Sequence, residues 1–273
     1  MKTPEPFIDI HCHLLPGLDD GPAAWEESLQ MAEMAAAEGI AAIVATPHQL
    51  GNHPQVSAEN IRIQTARLQR LLQQSGVALE ILPGADVRID PDLTAKFLNG
   101  QVLTLADQRR HVLLELPHEL YIPLDRLLAD LRKAGLTGIL SHPERNQGII
   151  NQPKVLADLV GQGCLLQVTA GSLMGTFGSK IRNFAEYMVQ QGFVDFIASD
   201  AHGTKHRTPQ LRDAFERVAK LVGLDTAVQL FCRNPACVRA GTPIVPHTPR
   251  QKNQNSFSSD RFFRTTRQFA NFK

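Results

Sequence analysis

The chain has 273 residues, is 43% hydrophobic and carries 28 Lys+Arg against 27 Asp+Glu, a formal net charge of +1. That composition buries a sizeable core in one large α/β domain or two modest ones, and the balanced charge argues against nucleic acid or membrane as the main partner. No apolar run approaches the roughly 18 residues of a membrane span, and the opening Met1-Lys2-Thr3-Pro4-Glu5-Pro6 lacks the apolar core of a signal peptide.

Seven β-rich or apolar runs follow one another along the chain, at 7–11, 41–46, 79–83, 111–116, 137–142, 164–169 and 195–200. Helical periodicity fills most of the intervals, at 25–38, 57–75, 123–134, 153–160 and 180–191, and continues after the last strand at 209–222 and 225–231. Near-continuous apolar strands alternating with helices predict a parallel sheet covered on both faces. Seven such units in about 245 residues suit a barrel better than two separate domains. A doubly wound open sheet is the alternative, because periodicity does not report closure. Cys12, Cys164, Cys232 and Cys237 make no disulfide framework in a chain this long. Free thiols in a reducing, cytoplasmic setting are expected, with a redox pair of Cys232 and Cys237 the weaker reading.

In a parallel barrel the chemistry sits at the C-terminal ends of the strands, and here those ends hold metal-competent side chains. The first run ends in His11-Cys12-His13, where a spacing of two puts both imidazoles on one side and Cys12 on the other. Asp19 and Asp20 follow, ahead of Pro22. The next runs lead to His48, Asp86, Glu115 and His142, and the last closes in Asp200-Ala201-His202. Taken alone, Asp20 also reads as a helix N-cap. Five imidazoles with four carboxylates and no thiolate favour Mn, Fe or Zn over Ca or Mg. These nine residues, His11, His13, Asp20, His48, Asp86, Glu115, His142, Asp200 and His202, are too many for one ion, so two or three divalent ions are expected. Four carboxylates against three divalent ions leave a net +2, which attracts and polarises a phosphate. Arg145, in His142-Pro143-Glu144-Arg145, and Arg207 lie on the same rim, where guanidinium forks bind phosphate oxygens. His53, His111, His118, His206 and His247 are read as surface residues or as residues behind the ligands.

Rival devices fail on spacing. A cysteine-phosphatase loop needs Arg six residues after its Cys, and those positions are Leu18, Ala170, Val238 and Pro243. The glycine-rich stretch from Gly171 to Lys180 has Thr176 where a P-loop needs its second glycine. It reads instead as a flexible rim loop before a helix. No Gly-x-Ser-x-Gly elbow occurs.

Several stretches carry a family resemblance: Ile8-Asp9-Ile10-His11-Cys12-His13, Leu18-Asp19-Asp20-Gly21-Pro22, Ala45-Thr46-Pro47-His48, Pro83-Gly84-Ala85-Asp86-Val87-Arg88, Leu114-Glu115-Leu116-Pro117, Ser141-His142-Pro143-Glu144-Arg145, Gln167-Val168-Thr169-Ala170-Gly171-Ser172 and Ser199-Asp200-Ala201-His202. Through them the chain resembles the PHP (polymerase and histidinol phosphatase) superfamily. Within it, the chain looks like the bacterial manganese-dependent protein-tyrosine phosphatases of capsule and exopolysaccharide operons. The resemblance implies a distorted TIM-like (β/α)7 barrel over residues 1–245 with a trinuclear manganese centre, Fe or Zn being the alternatives. It carries the ligand role to the nine residues above and the phosphate-binding role to Arg145 and Arg207. The family usually has Glu at the position of Asp86, so a carboxylate one methylene shorter implies weakened occupancy of one site or an altered metal preference.

On this reading, phosphotyrosine is hydrolysed by metal-activated water attacking phosphorus in line, without a phosphoenzyme. The general acid is left unassigned, with His48 and His202 as the residues able to relay a proton. The implied substrate is an autophosphorylated, membrane-associated tyrosine kinase that controls polysaccharide export. Two other readings stay open. One is a small-molecule phosphatase acting on histidinol phosphate or a nucleotide, and the other is a metal-loaded regulatory protein with little catalysis. Nuclease activity is disfavoured, because the residues before 246 carry −4 and form no basic groove. Residues 246–273 carry +5 and five phenylalanines, Phe257, Phe262, Phe263, Phe269 and Phe272. They show no period and read as a disordered tail able to touch a membrane surface or an acidic partner.

Overall fold

A computed structural model describes residues 5–244. The basic, Phe-containing segment 246–273 and His247 lie outside the described residues. Among the described residues nine parallel strands form in chain order: β1 Phe7–Cys12, β2 Ile40–Ala45, β3 His48–Gln49, β4 Glu80–Pro83, β5 Asp86–Arg88, β6 His111–Glu115, β7 Thr137–Ser141, β8 Leu165–Thr169 and β9 Phe196–Ala198. Hydrogen bonding groups them as β1-β2-β4 and β3-β5-β6-β7-β8-β9. Two of the seven predicted runs, 41–46 and 79–83, are each followed by a further short strand that the expected bounds did not include. β2 continues into β3 across Thr46-Pro47, and β4 into β5 across Gly84-Ala85. Joining these halves gives seven staves, and a parallel bridge from Cys12 to Ala201 brings β1 beside the end of β9. The Asp200 N–H donates to His11 O and the His13 N–H to Ala201 O, both at 2.8 Å. The sheet is therefore a closed, distorted seven-stave barrel, as expected.

The pleat divides the apolar residues into two layers. Ile8, Ile10, Ala42, Val44, Leu113, Ile139, Leu165, Phe196 and Ala198 form an inner cluster. Their strand neighbours, among them Phe7, Ile43, Val112, Leu114, Leu140, Leu166 and Ile197, pack outward against the helices. Stepping up by two from the inner residues reaches Glu115 above Leu113, Gln167 above Leu165 and Asp200 above Ala198. A dry plug thus fills the barrel, and polar side chains cap it at one end. β1 departs from this phase. Its register shifts between Asp9 and Cys12, and beyond the shift His11 and His13 join the capping layer while Cys12 packs in the outer core.

The helices mostly match their periodicity. The first spans Trp25–Glu38 and ends at Gly39, whose φ of 93° lets its N–H reach Ala35 O and Ala36 O before β2 begins. Ala24, not Asp20, occupies its N-cap position. Two expectations need correction. The stretch from Gly171 to Lys180 is not simply a loop: Ala170–Met174 is a short helix, and Ser179–Gln191 follows after one turn. The last helical run does not stop near residue 231. Leu224–Val228 passes through a wider turn at Gln229–Arg233 into Asn234–Ala240, and Pro235 sits in that segment's first turn, where its missing N–H costs little. All four cysteines are free thiols. Among the described residues no helix is long and apolar enough to cross a membrane.

Candidate metal centre

The nine residues singled out in the sequence meet at the capped end of the barrel. They form four overlapping groups: His13, Asp20, His48 and His202; His11, His13 and Asp200; His11, Asp86 and His142; and His48, Asp86 and Glu115. Within each group the donor atoms lie within 4.8 Å of one another. The Nε2 atoms of His11 and His13 are 3.2 Å apart. Asp86 Oδ2 stands 3.4 Å from His48 Nδ1, 3.6 Å from His11 Nε2 and 4.0 Å from His142 Nε2. The shorter carboxylate therefore still reaches the middle of the cluster. Asp20, with 59% of its side chain exposed, is the open member, 3.3 Å from His202 Nε2 and 3.7 Å from His48 Nε2.

The protonation states suit metal binding. Burial and the neighbouring His202 hold the His13 ring down to about 3, and burial with Arg145 keeps His142 well below its ordinary value. Both offer lone pairs. Burial opposes ionisation of Asp200 and Asp86, but surrounding imidazoles, joined at Asp200 by two arginines, hold both below the usual carboxylate range. Glu115 is pushed up to about 7 by burial and by the Asp86 charge. At His48 burial also disfavours charge, yet Asp86, Glu115 and Asp19 outweigh it and raise the ring to about 9, so a cation must compete with that proton. Neither carboxylate oxygen of fully buried Asp86 accepts a hydrogen bond. An orphaned buried carboxylate ringed by imidazoles is costly unless a cation sits with it, and the residues fit a polynuclear divalent centre.

Residues behind the donors orient them. Gln167 Oε1 meets His11 Nδ1 at 2.8 Å, and Asp19 Oδ2 meets His13 Nδ1 at 2.6 Å. Asp19 also accepts from the backbone N–H groups of Gly21 and His48. Gly21 is required here, because a Cβ would come within 2.8 Å of the His13 carbonyl oxygen. Glu144 accepts from the Thr169 N–H at 3.0 Å and the Ser172 hydroxyl at 2.7 Å, tying the turn that carries Arg145 to the end of β8. His142, Asp200 and Arg207 have left-handed backbones, with φ of 34°, 52° and 51°. Three such non-glycine residues at one site mark strain held in place by the surrounding fold.

Arg145 and Arg207 converge on one carboxylate. Both guanidinium groups contact Asp200 Oδ2, Arg207 at 2.6 Å, and Arg145 lies over the Phe177 ring at 4.6 Å. Arg88 is a third arginine that the sequence reading passed over, 3.7 Å from Glu115 Oε2; its spacing of two from Asp86 was the available signal. Two clefts flank the cluster. One, of about 340 Å³, opens beside Arg207, and the other, of about 230 Å³, beside His48 and Arg88. His53 stacks on His48 with ring centres 5.3 Å apart, and His118 lies 5.7 Å from His142, behind the donors as read. His206 is exposed. His111 is a correction: it is 1% exposed at the opposite end of β6, neither at the surface nor behind the ligands, and burial holds its ring down to about 4.

Known proteins share this arrangement of chain. A tyrosine-protein phosphatase of Bacillus subtilis, YwqE, is 34% identical over 241 residues, 85% of this chain and 94% of its own. CapC of Staphylococcus aureus, named a putative tyrosine-protein phosphatase, is 30% identical over 90% of this chain and 96% of its own. The solved structure described as one of the unique metal-dependent tyrosine phosphatases YwqE and CpsB superposes with a TM-score of 0.85 at 31% identity, covering 90% of this chain and all of that one. Dihydropyrimidinase of Brevibacillus agri, at 10% identity and a TM-score of 0.54 over 90% of this chain and 74% of that one, shares the fold alone. The capsular polysaccharide synthesis family CpsB/CapC matches residues 7–239, and the chain belongs to that family.

Proposed function

We infer that the chain is a metal-dependent protein-tyrosine phosphatase. The observation that supports this most is the meeting of nine imidazole and carboxylate donors with two arginines at one end of the barrel. We assign His11, His13, Asp20, His48, Asp86, Glu115, His142, Asp200 and His202 as ligands of two or three divalent ions, Mn²⁺ first among them. Imidazole-rich sites with carboxylates and no thiolate favour that class of metal. When bound, the ions supply a nucleophile from water near neutral pH and neutralise phosphoryl charge.

The protein's own part is positioning. Arg145 and Arg207 are assigned to the phosphoryl oxygens, turning from the Asp200 carboxylate they share to hold charge that develops during transfer. Gln167 and Asp19 fix the tautomers of His11 and His13, so that each keeps a lone pair on Nε2. A tyrosine leaving group, with a pKa of about 10, needs little protonation. His48 and His202 both reach Asp20 at the open side and are the candidates to relay a proton.

The substrate we propose is an autophosphorylated tyrosine kinase of polysaccharide export at the cytoplasmic face of a membrane, with residues 246–273 helping the enzyme reach it. Deleting 246–273 should lower turnover of the membrane-bound kinase and spare a free peptide; equal loss on both removes the tail's role. The activity is tested by phosphate release from a phosphotyrosine peptide with Mn²⁺ and with EDTA, beside histidinol phosphate. Mn²⁺-dependent release from the peptide is expected. Preference for histidinol phosphate overturns the substrate and leaves the metal centre standing.

A further inference from the structure

Resting on the phosphatase reading, we propose that the cleft beside Arg207 is the slot for the aryl ring of the substrate, with Phe177 and Met174 as its specificity-determining wall. The cleft is lined by Arg207, one of the two arginines assigned to the phosphoryl group, and by Thr169, Ala170, Met174 and Phe177. Its volume of about 340 Å³ exceeds the space one phenyl ring needs. Arg207 Nε has no hydrogen-bond partner in the protein, which leaves a donor for an anion at the inner end. Lys205, His206 and Asp213 line the polar side of the same cleft.

The rival cleft does not suit a ring. It is about 230 Å³, and among its lining residues only Leu50 is aliphatic, the others being polar or charged. Met174, by contrast, presents 48% of its surface to solvent in the larger cleft. An exposed thioether beside an aromatic ring is a surface that a second ring covers favourably.

The wall is held in place. Phe177 lies against the Arg145 guanidinium at 4.6 Å, so one ring both supports the phosphate-binding arginine and faces the slot. The turn that carries it is closed by the Thr176 N–H to Gly171 O at 2.9 Å and the Gly178 N–H to Gly175 O at 2.9 Å. Glu144 anchors the start of the same segment through Ser172.

The test compares phenylphosphonate with methylphosphonate, two phosphate mimics that differ in the ring, by calorimetric titration of the Mn²⁺-loaded protein. The wild type should bind the phenyl compound about tenfold more tightly. Phe177→Leu and Met174→Gln should each bring that ratio towards one. Phe177→Leu also loosens Arg145 and weakens both ligands, whereas Met174→Gln leaves Arg145 alone, so the ratio isolates the slot. A wild-type ratio of one, or a ratio unchanged in both variants, overturns the proposal. Failure of the phosphatase reading itself would appear elsewhere, as no phosphate release from the phosphotyrosine peptide with Mn²⁺ present.

Discussion

Asp86 and His48 are direct register partners in the parallel pair β3 and β5, and their side chains meet with Oδ2 3.4 Å from Nδ1. Both residues exist in this register because each stave breaks at the same height, at Thr46-Pro47 and Gly84-Ala85. The Asp86 N–H donates to Pro47 O across that break. Each member of the pair belongs to two of the four donor groups, as His11 and His13 also do.

Asp86→Asn keeps the shape of this side chain and removes its charge. Bound metal should fall by about one ion per chain and kcat by about 10²-fold or more, because a carboxylate that belongs to two donor groups loses its charge. Asp86→Glu should retain the full metal count. Elemental analysis of dialysed protein checks both, and an Asp86→Asn variant with unchanged metal would remove Asp86 from the ligand set.

Gln167→Leu probes orientation without touching a ligand. Gln167 holds His11 Nδ1 at 2.8 Å, and its own Nε2 has no partner. The near-isosteric leucine should weaken metal affinity by about tenfold to a hundredfold. Thermal stability of the metal-free protein should change by less than about 1 kcal/mol, since one orphan donor disappears with the lost acceptor. Affinity equal to wild type would show that His11 is held by the fold alone.

The clustering of the nine candidate donors was legible because period-two strands end in His, Asp or Glu, and because spacing alone places His11 with His13 and Asp200 with His202. The alternation of β6, β8 and β9 also carries the inner plug up to Glu115, Gln167 and Asp200. The phase shift inside β1 was not legible, since a bulge leaves no mark on composition. His111 looked exposed because a lone polar residue at a strand start usually is; its burial depends on segments distant in sequence. The helix at Ala170–Met174 is too short to show a period and hides among glycines. Glu144 and Phe177 acquire meaning only once the segments above β7 and β8 are side by side, whereas the spacing of Arg88 from Asp86 was a signal in the sequence.

Arg145→Lys and Arg207→Lys retain charge and lose the planar fork. Each should lower kcat/KM for a phosphotyrosine peptide by about 10²-fold. The double variant should lose less than the product of the two, because both guanidinium groups share Asp200 Oδ2. Steady-state kinetics at saturating Mn²⁺ checks this, and single variants within twofold of wild type would contradict the assignment.

Asp195 gives the fold a pH dependence away from the metal centre. Burial raises its carboxyl from 3.8 to about 7, although it accepts the Leu166 N–H at 2.9 Å. Between those values the folded chain keeps a proton that the unfolded chain has released, so stability falls as pH rises and levels off above about 7. Asp195→Asn keeps an acceptor for Leu166 and cannot ionise. It should exceed wild type by about 2 kcal/mol at pH 8, with the difference vanishing near pH 4. Melting curves in EDTA across that range check it; a gap independent of pH would refute it.

The most direct test of the metal centre is a titration of metal-free protein with Mn²⁺, following phosphate release from a phosphotyrosine peptide. Turnover should be absent at the start and should saturate between about two and three equivalents, since nine donors exceed what one ion accepts. Saturation at one equivalent, or turnover before any metal is added, would contradict a polynuclear centre as the source of the activity.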